Sequence, residues 1–291
     1  MQGEITIESS VYPKLLKETP FPPKKIYYKG IWDVSIFENC LAVVGSRKMT
    51  TYGKQATNQL VSEISNIGIT IVSGFMYGID ATAHKAALEV GGRTIAVMPC
   101  GINIIHPQHQ KSLYDQILAN KGLVISEFES NFPPAMWTYP KRNRIVAGLS
   151  KATMVVEAGK KSGSLITAGL ARKYKRKLFV VPGPITSLNS QGVLQLIKEG
   201  ASVVTGSKDI IEIYSKQGSI ISDKLLKSSS LSKLEKIILE NLQREPMSID
   251  QLSRSTQGRT AEISTAISLM QLKGLVAEEE GKCYPRSFEF G

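Results

Sequence analysis

Cysteine and histidine are scarce in this sequence of 291 residues. Its three cysteines, Cys40, Cys100 and Cys283, are odd in number and far apart, and none belongs to a CxxC spacing. This pattern argues against a disulfide framework and a zinc knuckle, and it favours free thiols in a reducing compartment. His106 and His109 have the spacing of metal ligands on a helix, but no carboxylate or thiol nearby completes a set. We therefore predict no metal and no other cofactor.

Long apolar runs are absent too. No stretch approaches the roughly 18 to 20 apolar residues that a membrane span needs. The first ten residues, MQGEITIESS, lack the charged and then apolar pattern of a signal peptide. We expect a cytoplasmic protein without a membrane partner.

Acidic residues are too few to balance the basic ones, because 25 Asp and Glu accompany 36 Lys and Arg and the formal net charge is +11. Residues 228–291 carry eight basic and nine acidic side chains, a net charge of −1, so the first 227 residues carry +12. A basic surface favours a polyanionic partner such as nucleic acid. That partner is expected on the larger, N-terminal part of the chain.

Short β-rich apolar runs alternate with helical segments between Leu41 and Ser215. The runs are LAVVGSR, ITIVSG, TIAVMPCG, LVISEF, ATMVVEAG, KLFVVPG and SVVTG, each followed by a glycine or polar turn. They do not alternate apolar with polar residues, which is typical of strands covered on both faces. This βα rhythm predicts an α/β fold: a Rossmann-like, doubly wound and mostly parallel sheet over residues 41–215.

The flanking segments have a different composition. Residues 1–40 include the proline-rich stretch VYPKLLKETPFPPKKIYYKG, for which we predict an extended arm packed on the sheet domain. Residues 216–230 are polar and rich in serine, as in a linker. Residues 231–291 show three helical patterns and then a strand pair around Gly281, which predicts a small C-terminal winged-helix domain.

Ligands of doubly wound folds lie beyond the carboxyl ends of the strands, where turns meet helix N-termini. In VVGSR, the turn residues Gly45 and Ser46 beside Arg47 form a candidate phosphate site, although a glycine turn with a surface arginine is an alternative. In SGFMYGIDATAH, Ser73 and Gly74 end a strand and are candidate DNA-binding residues. Asp80 is predicted to cap the next helix rather than to act in catalysis.

The segment YPKRNR at residues 139–144 places three cations just where an apolar helix begins. Pro140 is suited to a helix start, and cations in the first turn are disfavoured by the helix dipole. A bound anion would remove this conflict, and an aromatic ring is available to stack on a base. The candidate DNA-binding residues here are Tyr139, Lys141, Arg142, Asn143 and Arg144.

The stretch VVEAGKKSGSLITAG forms a further candidate turn. Glu157 ends a strand, and the turn that follows is rich in glycine, serine and lysine, as in anion sites. Its candidate DNA-binding residues are Lys160, Lys161, Ser162, Gly163 and Ser164. The nearby run RKYKRK is equally consistent with a solvated helix end, where cations are stabilising.

Taken together, these motifs resemble the DNA-processing protein A family, also called DprA or Smf. The resemblance covers roughly residues 11 to 205 in unbroken order. The matching stretches are YP…LL with PP and YYKG, VVGSR…YG, SG…GID…AH, TIAV, ISE, RNRIVAGLS, VVEA…SGSLITA, VPG and LI-EGA. Met76, His106 and Leu194 depart from the family pattern.

The resemblance implies a homodimeric protein that binds single-stranded DNA, protects incoming strands in natural transformation (competence) and helps to load the RecA recombinase. It implies a role in DNA recombination without catalysis, and therefore no catalytic residues. The alternative is an enzyme, a nucleotide-binding or phosphoribohydrolase-like Rossmann protein. Such enzymes use a PGG-x-GT-x-x-E loop, whereas this chain has EAGKKSGSLITAG there, with Glu157 before the turn.

Overall fold

The computed structural model describes residues 1–215, 232–242, 244–256, 258–272, 275–279 and 281–285. It contains two compact units that divide within the undescribed segment 216–231. The predicted linker at 216–230 therefore lies outside the described residues. Among the helices that the structure describes, none has the length and apolar character needed to span a bilayer.

The first unit is built on one sheet. Within residues 1–215 its strands are β1 (Gln2–Thr6), β2 (Lys25–Gly30), β3 (Cys40–Val44), β4 (Thr70–Ser73), β5 (Thr94–Val97), β6 (Leu123–Ser126), β7 (Ala152–Val155), β8 (Lys177–Val180) and β9 (Ser202–Val203). They lie in the order β1-β2-β6-β5-β4-β3-β7-β8-β9. Strands β3 to β9 are parallel to one another. Strand β2 pairs antiparallel with both β1 and β6. The predicted fold class is confirmed.

The N-terminal segment is part of this sheet. Instead of an extended arm on the domain surface, it supplies β1 and β2, and β2 pairs with β6 through Tyr28 and Ile125. Strand β1 has alternating exposed and half-buried residues, as expected at the edge of an antiparallel pair. The sheet unit therefore begins near Gln2 rather than at residue 41.

Helices connect the strands and cover them. They are α1 (Lys14–Lys17), α2 (Thr51–Asn66), α3 (Ile79–Glu89), α4 (Lys111–Ala119), α5 (Thr138–Leu149), α6 (Ser164–Lys173), α7 (Gln191–Lys198) and α8 (Ser207–Ser215). Short 3-10 turns lie at Val34–Phe37 and Gln108–Gln110. Ile95 of β5 packs with residues of α5 on one face of the sheet. Met98, which follows β5, packs with residues of α4 on the other face. Both faces of the sheet are therefore covered, which explains the continuous apolar strands.

The strand order reverses between β3 and β7. From β3 the chain moves through β4, β5 and β6 to one side, and then it returns to β7 on the other side of β3. The loops after these two strands consequently diverge and leave a crevice at the carboxyl edge, where doubly wound folds bind ligands.

The second unit contains α9 (Lys233–Leu242), α10 (Ile249–Thr256), α11 (Thr260–Leu272) and the antiparallel pair β10 (Val276–Glu279) and β11 (Lys282–Pro285). Its core includes Ile238, Leu252, Ile267 and Cys283. At the start of α10, Ser248 and Gln251 exchange side-chain-to-backbone hydrogen bonds, a reciprocal cap. Three helices followed by a hairpin give the predicted winged-helix arrangement.

Candidate nucleic-acid interface

A cavity of about 670 Å³ opens at the carboxyl edge of the sheet, at the reversal of strand order. It collects residues from the loops after β3, β4 and β7 and from the start of α5. Of the predicted site residues, those that line it are Gly45, Ser46, Arg47, Gly74, Tyr139, Arg142, Asn143, Lys161, Ser162, Gly163 and Ser164. Segments distant in the sequence thus form one candidate site.

Glycines allow the loops to approach closely. A Cβ atom on Gly45 would lie 2.6 Å from Ile79 Cγ1, and one on Gly74 would lie 2.5 Å from the Arg142 guanidinium. Gly78 has a φ of +69°, and a Cβ there would lie 2.2 Å from the Ser46 carbonyl oxygen. A side chain at any of these positions would collide with the neighbouring segment, so the close approach requires glycine.

Arg47 and Tyr139 form the polar rim of the cavity. The Arg47 guanidinium lies 5.2 Å from the centroid of the Tyr139 ring, within cation–π range. The Tyr139 hydroxyl is 2.7 Å from His106 Nε2. Burial, followed by the charge of Arg47, lowers the pKa of His106, which favours the neutral imidazole. Arg47 is exposed, so its guanidinium edge remains accessible to an anion.

Arg142 does not face solvent as a free phosphate ligand would. Its side chain is 3% exposed, and its Nη1 donates to the carbonyl oxygens of Gly74 and Val97 at the ends of β4 and β5. Burial lowers its pKa to about 10, and Asp80 acts in the opposite direction, so it stays charged at neutral pH. Its first role is to join α5 to two strands.

The start of α5 differs from the sequence-based expectation. The helix begins at Thr138, whose hydroxyl donates to the Ala135 carbonyl oxygen at 2.7 Å. Pro140 is therefore the third helical residue, where a missing N–H is still harmless. Of the three cations, only Lys141 falls in the first turn.

Glu127 anchors the two outer cations of this segment. Its carboxylate, 8% exposed, accepts from Arg144 and lies 3.4 Å from Lys141 Nζ. Arg144 also donates to the Phe21 carbonyl oxygen at 2.6 Å. The Lys141 ammonium lies 5.2 Å from the Phe128 ring centroid, yet the side chain is 46% exposed. Arg144 thus braces the loop, whereas Lys141 is exposed; neither of these two cations lines the cavity.

The loop after β7 has a rigid and an exposed part. The buried Glu157 carboxylate accepts from the backbone N–H of Thr50 at 2.9 Å and from its hydroxyl at 2.5 Å. It therefore fixes the start of α2. Lys161 is exposed and lines the cavity, whereas Lys160 is exposed outside the lining. The hydroxyl oxygens of Ser162 and Ser164 are 2.7 Å apart, within hydrogen-bond distance.

Ser73 and Asp80 support the site from inside. The Ser73 hydroxyl, fully buried, donates to the Val43 carbonyl oxygen at 2.6 Å and does not line the cavity. Asp80, in the first turn of α3, accepts from the Met76 N–H at 3.4 Å. Burial raises the pKa of Asp80, and Arg142 partly offsets this effect. The prediction that Asp80 caps this helix is wrong, because the cap residue is Gly78 and Asp80 is the second helical residue. A negative charge at that position still favours the helix N-terminus.

Asn189 was not a sequence-based candidate, yet it lines the cavity. Its side-chain amide donates to the Lys48 carbonyl oxygen at 2.6 Å, and its backbone carbonyl oxygen accepts from the Ala158 N–H at 2.7 Å. It joins the loops after β3, β7 and β8. The available signal was its position shortly after the strand run KLFVVPG, at the same sheet edge.

In the described part of the chain, no group of three or more His, Cys, Asp and Glu side chains is placed to hold a metal ion. The sheet order defines the first unit as a Rossmann-type domain whose carboxyl-edge crevice is lined by cations, and the second unit is a winged-helix domain. The model of the family described as DNA recombination-mediator protein A matches residues 4–215, and that of the DprA winged helix domain matches residues 225–282. The chain belongs to the DprA family.

Several relatives agree with this assignment. Protein Smf of Escherichia coli is 42% identical over 209 residues, which are 72% of this chain and 55% of that protein. The DNA processing protein DprA of Bacillus subtilis is 38% identical over 72% of this chain and 70% of its own length. A DprA structure from Streptococcus pneumoniae superposes with a TM-score of 0.68 at 37% identity, covering 72% of this chain and 73% of that one.

A structure of DNA processing protein A from Helicobacter pylori is described in terms of its unique single-stranded DNA binding mode. It superposes with a TM-score of 0.66 at 33% sequence identity and covers 74% of this chain and 96% of that one.

Proposed function

We propose that this protein binds single-stranded DNA in the cavity at the carboxyl edge of its sheet. The observation that carries the proposal is that Arg47 and Lys161 line one crevice together with the Tyr139 ring. Cations that follow the backbone, combined with an aromatic ring for the bases, are the general means of binding single strands. The Helicobacter pylori relative, described as binding single-stranded DNA, supports it.

The cations have different roles in this proposal. Arg47 and Lys161 are exposed, so they contact phosphate oxygens directly. Arg47 keeps its place over the Tyr139 ring and presents its N–H groups edge-on, the geometry in which a guanidinium binds phosphate. Arg142 instead holds the cavity wall in place through Gly74 and Val97. The backbone groups of Gly45, Ser46 and residues 162–164 complete the anion site.

We expect binding without turnover. Glu157 is occupied by its two hydrogen bonds from Thr50, and Asp80 is buried beside Arg142. Neither carboxylate is therefore placed as a free general base. The enzymatic alternative predicts that purified protein releases base or phosphate from nucleotides and that Glu157→Gln abolishes the release. Such a result would replace the binding function proposed here.

The wider role proposed is that of a recombination mediator: the protein protects incoming strands in transformation and helps to load RecA onto them. The family description, a DNA recombination-mediator protein, supports this role. Pull-down of purified RecA with the DNA-bound protein tests it, and retention of no RecA on single-stranded DNA would contradict it. A homodimer belongs to the same proposal and is tested by light scattering at roughly tens of micromolar protein.

Fluorescence anisotropy with oligo-dT and a matched duplex tests the DNA site. Arg47→Ala and Lys161→Ala should each weaken binding for every base sequence. Each should also make the slope of log affinity against log salt shallower by about 0.7, because one phosphate contact is lost. Tyr139→Ala should weaken binding by about 1 to 3 kcal/mol through lost stacking and leave this slope unchanged.

Lys177→Ala is the matched control. Lys177 is exposed, and it begins β8, so it lies at the amino edge of the sheet, away from the cavity. If Lys177→Ala weakens binding while the Arg47 and Lys161 variants bind as wild type does, the proposed site is wrong.

A further inference from the structure

Tyr77 and His109 form a pair of stacked rings on the same sheet edge as the cavity. Their ring centroids are 4.9 Å apart and their planes differ by 5°. Tyr77 is 43% exposed and His109 is exposed as well. Within the described residues, neither side chain makes a hydrogen bond or an ion pair. The proposed function does not use this pair.

The backbone that carries Tyr77 is strained. Phe75, two residues earlier, has a φ of +57°, a left-handed conformation that is unusual for a bulky residue. Its buried ring packs between His84 and Tyr114, with centroid distances of 5.9 and 6.1 Å. Packing therefore holds a conformation that the residue itself disfavours, and this conformation leaves Tyr77 at the surface. Strain held in place in this way is concentrated at functional sites.

A buried hydrogen bond fixes the two rings relative to each other. Gln110, next to His109, donates from Nε2 to the Phe75 carbonyl oxygen at 3.1 Å and is 8% exposed. The turn after β5 is thereby tied to the loop after β4. The backbone segments that carry the two rings are thus held next to each other.

The pair continues the site already described. Met76, the neighbour of Tyr77, lines the cavity. His106, three residues before His109, bonds to the Tyr139 hydroxyl at 2.7 Å. In the sheet, β4 lies between β3 and β5. A single strand that leaves the cavity along the carboxyl edge in this direction therefore meets the loop after β4 and then the turn after β5.

We propose that Tyr77 and His109 form a second subsite, which stacks a nucleobase of a single strand that extends beyond the cavity. The inference rests on the proposed function, because the cavity supplies the phosphate contacts that bring the strand to this edge. Stacking is tolerant of base identity, since every base has a π face. The subsite therefore lengthens the bound strand without adding sequence preference.

Fluorescence anisotropy with oligo-dT of two lengths tests the subsite. The lengths are about 4 and about 16 nucleotides, which are the limits of common single-strand site sizes. Tyr77→Ala should weaken binding of the longer strand roughly 5- to 150-fold, the range that one stacked base contributes, and leave the short strand unaffected. The salt slope should not change, because no charge is removed. Tyr77→Phe and His109→Phe retain a flat ring and should bind as wild type does.

A 2-aminopurine placed at successive positions of the longer strand gives an independent readout. With the wild-type protein, the fluorescence of 2-aminopurine should be quenched at one more position of the strand than with Tyr77→Ala. Equal losses for both strand lengths would overturn the subsite. If Arg47→Ala weakens binding and the Tyr77→Ala/His109→Ala variant does not, only the subsite is refuted. If neither weakens binding, the cavity and the subsite are both refuted.

Discussion

Replacing Arg142 by alanine should unfold the sheet unit more easily rather than simply weaken DNA binding. The side chain is 3% exposed, and it donates to the carbonyl oxygens of Gly74 and Val97. Its charge also lowers the pKa of Asp80, against the effect of burial. Alanine leaves two buried carbonyl groups without this donor and one buried carboxyl without a compensating charge.

The expected loss follows from these contacts. A hydrogen bond to a charged group contributes about 1.5 to 3 kcal/mol, and removing one member of a buried charged set costs about 3 to 5 kcal/mol in total. We expect the free energy of unfolding to fall by about 3 to 5 kcal/mol. For a unit of this size the melting temperature should drop by roughly 6 to 20 °C.

Urea unfolding followed by tryptophan fluorescence measures this loss. Both tryptophans, Trp32 and Trp137, lie in the first unit, so their signal reports the unit that contains Arg142. The exposed Lys177→Ala variant is the control and should stay within about 0.5 kcal/mol of wild type. The reasoning is refuted if Arg142→Ala is as stable as the control and loses only DNA affinity.

The penalty should also depend on pH. Because burial raises the pKa of Asp80 in the folded protein, its ionised form costs stability as pH rises through that pKa. Without Arg142 the folded pKa rises further, and the cost of ionising Asp80 grows. The difference between Arg142→Ala and wild type should therefore be smaller at about pH 5 than at about pH 7.5. An equal difference at both pH values would show that Asp80 is not involved.

Arg144→Ala should destabilise the first unit by about 2 to 4 kcal/mol in urea, because it takes the less exposed of two cationic partners from the buried Glu127 carboxylate and leaves the more exposed Lys141; adding Glu127→Gln should recover part of the loss, and no recovery would contradict this pairing. Burial lowers the pKa of His84 to about 3. Below about pH 6.5 the unfolded chain therefore takes up a proton at this residue that the folded chain does not. As the pH falls through this range, the free energy of unfolding of wild type should decrease by up to about 1.4 kcal/mol per pH unit more than that of His84→Gln. Parallel pH profiles would rule that out. Truncation after Gln217 should leave single-strand affinity within a few-fold, because the removed residues 218–291 carry ten basic and ten acidic side chains and thus no net charge; a hundredfold loss would place the main DNA contacts in the removed part of the chain.

The strands and their turns could be read from local sequence. Runs such as LAVVGSR are apolar throughout because both faces of a strand are covered, and this property is visible without the fold. The N-terminal strands were not recognised, although KIYYKG is β-rich. Its partner β6 lies more than ninety residues later in the chain, as the pairing of Lys29 with Val124 shows. Prolines between the two N-terminal strands concealed them further.

Many of the residues named as a candidate site line one cavity, and their binding of DNA stays a prediction. Arg142 was expected to contact DNA, yet Thr138, Arg142, Ile145 and Leu149 share the buried face of α5. Their spacing of four, three and four residues is the helical period of a buried stripe. This signal was available in the sequence, but a charged residue on such a stripe is rare unless it is paired.

The sequence by itself determined the fold class, the excess of positive charge in the larger unit and the glycine turns that gather at one sheet edge. These features depend on composition and on short-range periodicity, and both can be determined without knowing the tertiary structure. Only the tertiary structure decided which cations are free: Arg142 is committed to Gly74 and Val97, Arg144 to Glu127, and Arg47 and Lys161 remain accessible. The physical reason is that a side chain's partners come from strands and loops distant in the sequence. Their positions are set by how the helices pack on the sheet.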